Sequence, residues 1–320
     1  MKRRRAWPAL VVLGGFVFLA LFAELIASEA PLAVRLDGQT YWLPAFSHPP
    51  ALHAQTQQSL RPRAEWMLST PVPFGPNQTF TEFSVDAGPP PWAPDGRHWL
   101  GTDELGRDVL ARIIHGARVS LFVGFASVAL CLVLGVLLGA LAGWKGGATD
   151  AVISRLTELM MTFPTLFFLL AVLGALRVSS LWPLVLAIAI TRWTDPARLI
   201  RAEVLKLKQL DFVLAIRALG ASQGRLLFRH LLPNALPPVL AQAAFAVATA
   251  ILLESATSFL GLGAPPPTAS WGELLTQAHR YITYPGAWWL AVFPGLCLFA
   301  TVLSLNRLGE ALQSRLDSRG

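Results

Sequence analysis

The sequence predicts an all-α membrane protein with about six transmembrane helices and an extracytoplasmic, loop-rich insert after the first of them. Three observations carry this expectation. Of 320 residues, 54% are hydrophobic and 14% charged, with a mean hydropathy of +0.51, so the quarter of charged residues usual in soluble domains is missing. The apolar residues are gathered into runs long enough to cross a bilayer at ~20 residues per span. The basic residues cluster beside those runs, which is how orientation is encoded in membrane proteins. These features exclude an ordinary cytosolic enzyme. The net charge of +7 is explained by topology and not by nucleic acid, because the basic residues are not interleaved with exposed aromatics. Cys131 and Cys297 lie inside apolar runs and read as small core residues, so neither a disulfide framework nor a metal cluster is encoded.

Lys2, Arg3, Arg4 and Arg5 precede an apolar run over residues 7–27. Its length and the poor small-x-small site around Ser28, Glu29, Ala30 and Pro31 favour an uncleaved anchor over a signal peptide. The basic cluster holds the N-terminus in the cytoplasm, and residues 1–27 form the first unit of the chain. The insert, 28–98, is broken by Pro49-Pro50, Pro71, Pro73, Pro76 and Pro89-Pro90-Pro91, and no regular structure is expected there. Its Tyr41, Trp42, Trp66, Phe74 and Trp92 either bury a small core or sit at the membrane interface.

The main membrane domain is placed at 99–306. Residues 103–118 put Val109, Leu110, Ile113, Ile114 and Ala117 on one helical face and Asp108 and Arg112 on the other, which predicts an amphipathic interfacial helix. The second span, 120–142, leads into a stripe of Gly135, Gly139 and Gly143 at spacing four. Small residues so spaced let helices approach closely in lipid. A third span covers 160–176, with a kink at Pro164, and a weaker fourth covers 179–193, where Arg192 must snorkel to an interface. The interval 195–233 carries Arg198, Arg201, Lys206, Lys208, Arg217, Arg225 and Arg229 against Asp195, Glu203 and Asp211, which puts it inside. Spans at 237–260 and 287–305 follow, then a cytoplasmic tail, 307–320, with Arg307, Arg315 and Arg319. Both termini cytoplasmic satisfies every charge bias.

Two loops carry the functional candidates. Residues 212–233 read FVLAIRALGASQGRLLFRHLLP. Phe212, Val213, Leu214, Ala215 and Ile216 open a short helix stopped at Gly220, and a second helical piece ends at Leu232-Pro233. Such a knob fits a groove on a soluble partner; a basic loop holding lipid headgroups is the alternative. His230 has no second ligand arranged with it and reads as structural. Downstream, Gly261, Gly263, Pro265, Pro266 and Pro267 cannot continue a helix and predict a rigid external turn. Glu254, Ser258, Pro266 and Trp271 are candidate contacts with a translocation pathway, against a plain connector. Glu254 is costly in lipid and must face protein, water or a partner charge. Trp271, Trp288 and Trp289 read most simply as interface anchors.

The 212–233 stretch resembles the EAA loop of ABC importer permeases, whose pattern is Glu-Ala-Ala, three residues, Gly, nine residues, Ile, one residue, Leu-Pro. Ala215 fills the first Ala, Gly220 the Gly, and Leu232-Pro233 the terminal pair, while Leu214, Ile216 and His230 stand where the family has Glu, Ala and Ile. HWLGTDELGRDVLARIIHGARVSLFVG, 98–124, and ESATSFLGLGAPPPTASWGELL, 254–275, are similar to the C-type subunits of dipeptide, oligopeptide and nickel permeases. GQTYWLPAF in the insert resembles the Yej-type peptide and microcin permease.

The resemblance implies a type I ABC importer permease in the bacterial inner membrane, forming half of a pathway for peptides or a related small solute. It implies an ATPase-coupling role for 212–216, Gly220, Leu232 and Pro233. The implied partners are a second homologous permease subunit, two ATP-binding subunits that use ATP and Mg, and an extracytoplasmic substrate-binding protein. No GxxxxGK[ST], HExxH, GxSxG or CxxC pattern stands in a fitting context, so no cofactor, metal or enzymatic activity is expected of this chain. The rivals are an ion-coupled carrier or channel, which predicts inverted repeats and mid-membrane ionisable groups, and a membrane-anchored structural protein.

Overall fold

The computed structural model describes residues 3–52, 55–80, 88–176, 180–281 and 286–317; Lys2, Ser179 and Arg319, named above, lie outside the described residues. The chain divides into two compact units, one of Met1–Val11, Val123–Glu254 and Thr301–Gly320, the other of Val12–Phe122 and Ser255–Ala300.

Helix α1 spans Arg3–Leu21 and stops at Phe22, short of the expected end at 27. After one helical turn, Ala23–Ile26, Ala27 takes an extended conformation and pairs in parallel with Val72 of the insert. Ala23 and Ala27 are buried there with Val72, Phe74, Ala111 and Ile114, so a tertiary contact ends the helix before its apolar sequence does. The insert is not the irregular segment expected. It holds a three-stranded sheet ordered β2-β1-β3, with β1 Ala33–Leu36, β2 Gln39–Trp42 and β3 Trp66–Leu68, all antiparallel. Asp37 and Gly38, both at positive φ, make the tight turn between β1 and β2, the Asp-Gly pair that favours a two-residue hairpin. Val34 and Leu36 close a small core with Leu52 and Leu60.

Helix α2 runs unbroken over Val109–Lys145, 37 residues. This corrects the separate interfacial helix: the charged face of residues 103–118 is buried, not exposed. Asp108 accepts from the Ala111 amide at 2.7 Å and faces His98 Nδ1 at 2.8 Å, so it caps the helix start. Helices α3, Gly147–Thr162, and α4, Thr165–Ala175, meet at a 90° bend where a kink was expected. Phe163 is extended immediately before Pro164, as the proline ring demands of its predecessor.

Helix α5, Leu181–Arg192, is followed by α6, Thr194–Leu207, and α7, Asp211–Ala218. A π-helical segment, Leu226–Leu231, then leads into α8, Leu232–Phe259. Pro233 was expected to end a helix and does not; the helix passes through it. The wider turn just upstream lets a residue without an N–H enter the register. Helix α9 is Trp271–Arg280, and α10, Trp289–Asp317, extends through the region expected to be a tail.

Among the described residues, α2, the continuous helix Gln223–Phe259, and α10 are each long and apolar enough to cross a bilayer, and the bent α3–α4 pair makes a fourth span if it is taken as one. The remaining two expected spans coincide with the shorter apolar helices Trp7–Leu21 and α5. Large apolar side chains stand exposed along the long helices, including Val133, Leu137, Leu240, Leu296 and Phe299. Such surface is stable only in an apolar solvent.

The glycine stripe of α2 lies against α6. A Cβ on Gly135 would stand 2.5 Å from Pro196 Cγ and 2.7 Å from the Trp193 carbonyl; on Gly143 it would stand 2.9 Å from the Arg201 carbonyl; on Gly139 it would overlap the Ala197 carbonyl. The obstacle at each position includes backbone, which cannot swing aside. Gly139→Leu should therefore destabilise the protein by ~1–3 kcal/mol or more, seen as a lowered melting temperature in mild detergent, whereas Gly174→Leu, with open space before it, should leave the melting temperature unchanged.

Candidate functional site

Helix α7 begins three residues after α6 ends and is short because Gly220, at φ +81°, turns the chain back with the left-handed conformation that suits glycine. Val213 is its anchor. It is buried in one cluster with Ala140 of α2, Ile200 and Val204 of α6, and Leu226, Leu227, Leu231, Ala235 and Val239; Ile216 packs against the same cluster. The other face is bare: Phe212, Leu214 and Ala215 are exposed, and Leu219, beside the Gly220 turn, is 87% exposed. Of the residues predicted together, the structure brings 212–216 and Gly220 into one knob. Leu232 is half-buried within the long helix and Pro233 is exposed on it, so these two stand on a different element.

Sequence reading missed Trp144 at the end of α2. Lys208 Nζ donates to the Trp144 carbonyl at 2.7 Å and to the Gly143 carbonyl at 3.4 Å, capping the helix C-terminus with a cation. The same Nζ lies 5.4 Å from the centre of the Trp144 ring, and Arg217 of α7 approaches it at 5.9 Å. Trp144 thus ties α7, through Arg217, and the end of α6, through Lys208, to the end of the glycine stripe by cation–π contacts worth about 0.5–1 kcal/mol each at exposed sites. Asp150 of α3 takes Arg201 of α6 in a two-pronged ion pair, with Nη2 to Oδ2 at 2.7 Å. That pairing holds the Asp150 carboxyl side of α3 to the same helix.

In this unit a groove of about 770 Å³ is lined by Ser127, Arg192, Arg198, Gln242, Thr249 and Gln313, among others. Arg192 pairs with Asp195 at 2.8 Å, whereas Arg198 has Met161 Sδ at 3.3 Å. No motif announced this groove, since its residues come from five helices.

The candidates of residues 254–275, Glu254 belonging to the first unit and the others to the second, have different fates. Glu254, Ser258 and Trp271 are buried, at 0%, 6% and 0% exposed, while Pro266 is exposed. The expectation that Trp271 and Trp289 are interface anchors is corrected. Trp271 donates to the Ile113 carbonyl at 3.1 Å and stacks edge-on with Phe16 at 5.2 Å. Trp289 donates to the Thr102 carbonyl at 3.0 Å. Trp288 alone of the three is exposed. Gly272 presses α9 onto Ser255 and Ser258, where a Cβ would lie 2.6 and 2.8 Å away. Ser258 is thus a helix contact; neither it nor Trp271 faces open solvent.

Sequence reading also missed a buried charge cluster in the second unit. Arg112, fully buried, donates to the Pro76 carbonyl at 2.8 Å and to Glu273 Oε2 at 2.6 Å, and its Nε lies 3.3 Å from Asp103 Oδ2. Asp103 in turn holds Arg107 Nε at 2.6 Å. Glu104 next to it has its pKa raised by burial, an effect partly offset by Arg280 at 2.9 Å. One arginine therefore joins the insert, the start of α2 and α9.

Residues 135–318 match the family model described as binding-protein-dependent transport system inner membrane component. The chain is similar to a putative peptide permease protein of Brucella suis, 44% identical over 227 residues, covering 71% of this chain and 75% of that protein. It is 41% identical over 250 residues to the di/tripeptide transport system permease protein DppC of Pseudomonas aeruginosa, covering 78% and 81%. It is 38% identical over 226 residues to the oligopeptide transport system permease protein OppC of Bacillus subtilis, covering 71% and 73%.

Removing Arg112 from the buried cluster leaves Glu273 to the looser contact with Arg107 at 3.9 Å in a partly buried place. Arg112→Met should cost ~3 kcal/mol or more, read as a large drop in melting temperature of the purified chain, with Arg155→Met, whose ion pair is exposed, as the near-neutral comparison.

Proposed function

Because this chain belongs to the family of binding-protein-dependent transport system inner membrane components, we propose that it moves peptides and that α7 is where it receives work from an ATPase. It is a membrane-embedded permease subunit of an ABC importer. That membership removes the ion-coupled carrier, the channel and the structural anchor from consideration. Peptide cargo rests on the relatives' names, which include peptide, di/tripeptide and oligopeptide permeases; the external binding protein sets the choice among peptides.

The observation that carries the coupling reading is the bare apolar face of α7. Phe212, Leu214 and Leu219 are exposed on a short helix whose opposite face is anchored through Val213. A rigidly seated apolar knob on a basic segment is the shape that enters a groove on a soluble subunit and moves with it. In the proposed assembly this chain and a homologous permease enclose the pathway, two ATP-binding subunits with ATP and Mg seat one such knob each, and a binding protein delivers the solute from outside. Both termini and 195–233 lie in the cytoplasm, in line with the basic excess there, and the insert lies outside. Nucleotide-driven closure of the ATPase pair then shifts the permease between inward-facing and outward-facing states by binding one better than the other. Leu214 supplies apolar contact where a Glu would supply charge, so the knob docks by burial and its affinity should depend weakly on salt.

Gly220 is open on its side-chain face but sits in the left-handed region. Gly220→Val should reduce the population of the native turn about tenfold or more, from a left-handed cost of ~1–2 kcal/mol per residue. Binding-protein-stimulated ATP hydrolysis and uptake by the reconstituted transporter should fall together while membrane insertion stays normal. Unchanged uptake would remove α7 from the coupling path. Trp144→Ala, which frees Arg217 and unseats α7 without touching its exposed face, should weaken stimulated hydrolysis in the same direction but less.

A further inference from the structure

The insert's sheet is apolar on both faces. In the register of the strands, Val34, Tyr41 and Met67 share the face that closes over Leu52 and Leu60. The opposite face presents Ala33 between Trp42 and Leu68, and beside that row Arg35 between Thr40 and Trp66. An antiparallel sheet with one wet face carries polar residues there. Here Trp42 is 67%, Leu68 54% and Trp66 40% exposed, and the two indoles lie 6.1 Å apart across the strands. The cation of this face, Arg35, is neutralised by Glu65 at 3.1 Å.

The backbone next to this face is strained in the same direction. Leu43 and His48 both sit at positive φ, 45° and 44°, a conformation that is an outlier for a bulky residue. They bracket the short helix Pro44–Ser47, and between them they turn Leu43 and Phe46 outward, 44% and 57% exposed. Strain held in place beside an exposed apolar patch points to a use outside the folding of the chain itself.

The position of the patch says what covers it. The sheet is stitched to the end of the first apolar helix: Val72 N donates to the Ile26 carbonyl at 2.9 Å, and Leu32 N to the Leu68 carbonyl at 2.8 Å. The five steps from Ala27 to Leu32 span at most about 18 Å of extended chain, so the bare face stays near the level at which α1 leaves the membrane. The apolar helix Trp7–Leu21 rises only about 22 Å, short of a hydrocarbon core of ~30 Å. A short span draws its flanking structure toward the interface. Indoles are the side chains that the headgroup layer favours.

We infer that the outer face of this sheet, with Trp42, Leu43, Phe46, Trp66 and Leu68, rests in the phospholipid headgroup layer of the outer leaflet, as a second membrane anchor beside α1. The inference rests on the reading of α1 as a membrane span. The anchor fixes the insert against the bilayer and leaves its other surfaces to meet soluble partners.

The test uses the full-length chain in its assembled transporter, reconstituted in phosphatidylethanolamine–phosphatidylglycerol vesicles, with Cys131→Ala and Cys297→Ala as background. Trp42→Cys, Leu68→Cys and Phe18→Cys each carry a nitroxide, and collision with oxygen is compared with collision with water-soluble nickel complex. The inference expects oxygen to exceed nickel several-fold at positions 42 and 68, with Leu68→Cys standing in if Trp42→Cys does not fold. Nickel collision equal to or above that of oxygen at both positions overturns it, as does low collision with both reagents, which would mean that protein covers the face. Phe18, exposed on α1, separates the two readings. A lipid signal at Phe18 with water at 42 and 68 sinks the anchor alone, whereas water at Phe18 sinks the span.

Discussion

The contact on which the first unit depends is between two backbones. Gly135, Gly139 and Gly143 strip the side chains from one stripe of α2, and the carbonyls of Trp193, just before α6, and of Ala197 and Arg201 on α6 move into the space. In lipid, apolar burial gives two helices little reason to associate, so close van der Waals approach must do it. The segment that follows α6 is referenced to this seam. Helix α7 begins three residues beyond α6, its anchor Val213 enters a cluster that includes Ala140 of α2 and Val204 of α6, and Trp144 meets Arg217 from the end of the same α2. A force applied to the bare side of α7 therefore passes directly into a membrane-crossing helix through packed atoms.

The second unit is held by different means. Its elements converge on Arg112, which reaches a backbone carbonyl of the insert and carboxylates from the start of α2 and from α9. A buried cation with two hydrogen bonds and two carboxylates around it costs more to break than it contributes over an apolar replacement. Its consequence is specificity: few other arrangements of these segments leave every charge paired. Trp271 and Trp289, each donating to a backbone carbonyl, add directional contacts that apolar packing alone lacks.

Much of this was legible in the sequence because the determining signals were local. Apolar runs marked the helices, the glycine spacing marked the close approach, and Gly220 marked the end of α7. The failures came where long-range partners decide. Asp108 and Arg112 look like the wet side of an amphipathic helix until His98 is seen to pair with the first and Glu273, distant in the chain, with the second. Trp271 looks like an interface anchor until Phe16 and Ile113 enclose it. Pro233 looks like a helix stop, yet the π-helical turn before it absorbs the missing donor. In the insert the Asp37-Gly38 pair was a local hairpin signal overlooked beneath the prolines. Trp144 has no motif; its role exists only once α6 and α7 have been folded back to it.

The central claim is that the exposed side of α7 sits in the ATPase. Its most direct measurement places a photo-crosslinking amino acid at Leu214, and for comparison at buried Val213, in the assembled transporter. Crosslinks from Leu214 to the ATP-binding subunit, altered by nucleotide and absent from Val213, are what the account predicts. Crosslinks from Leu214 to lipid or to no protein at all, in a transporter that still hydrolyses ATP in response to its binding protein, would contradict it.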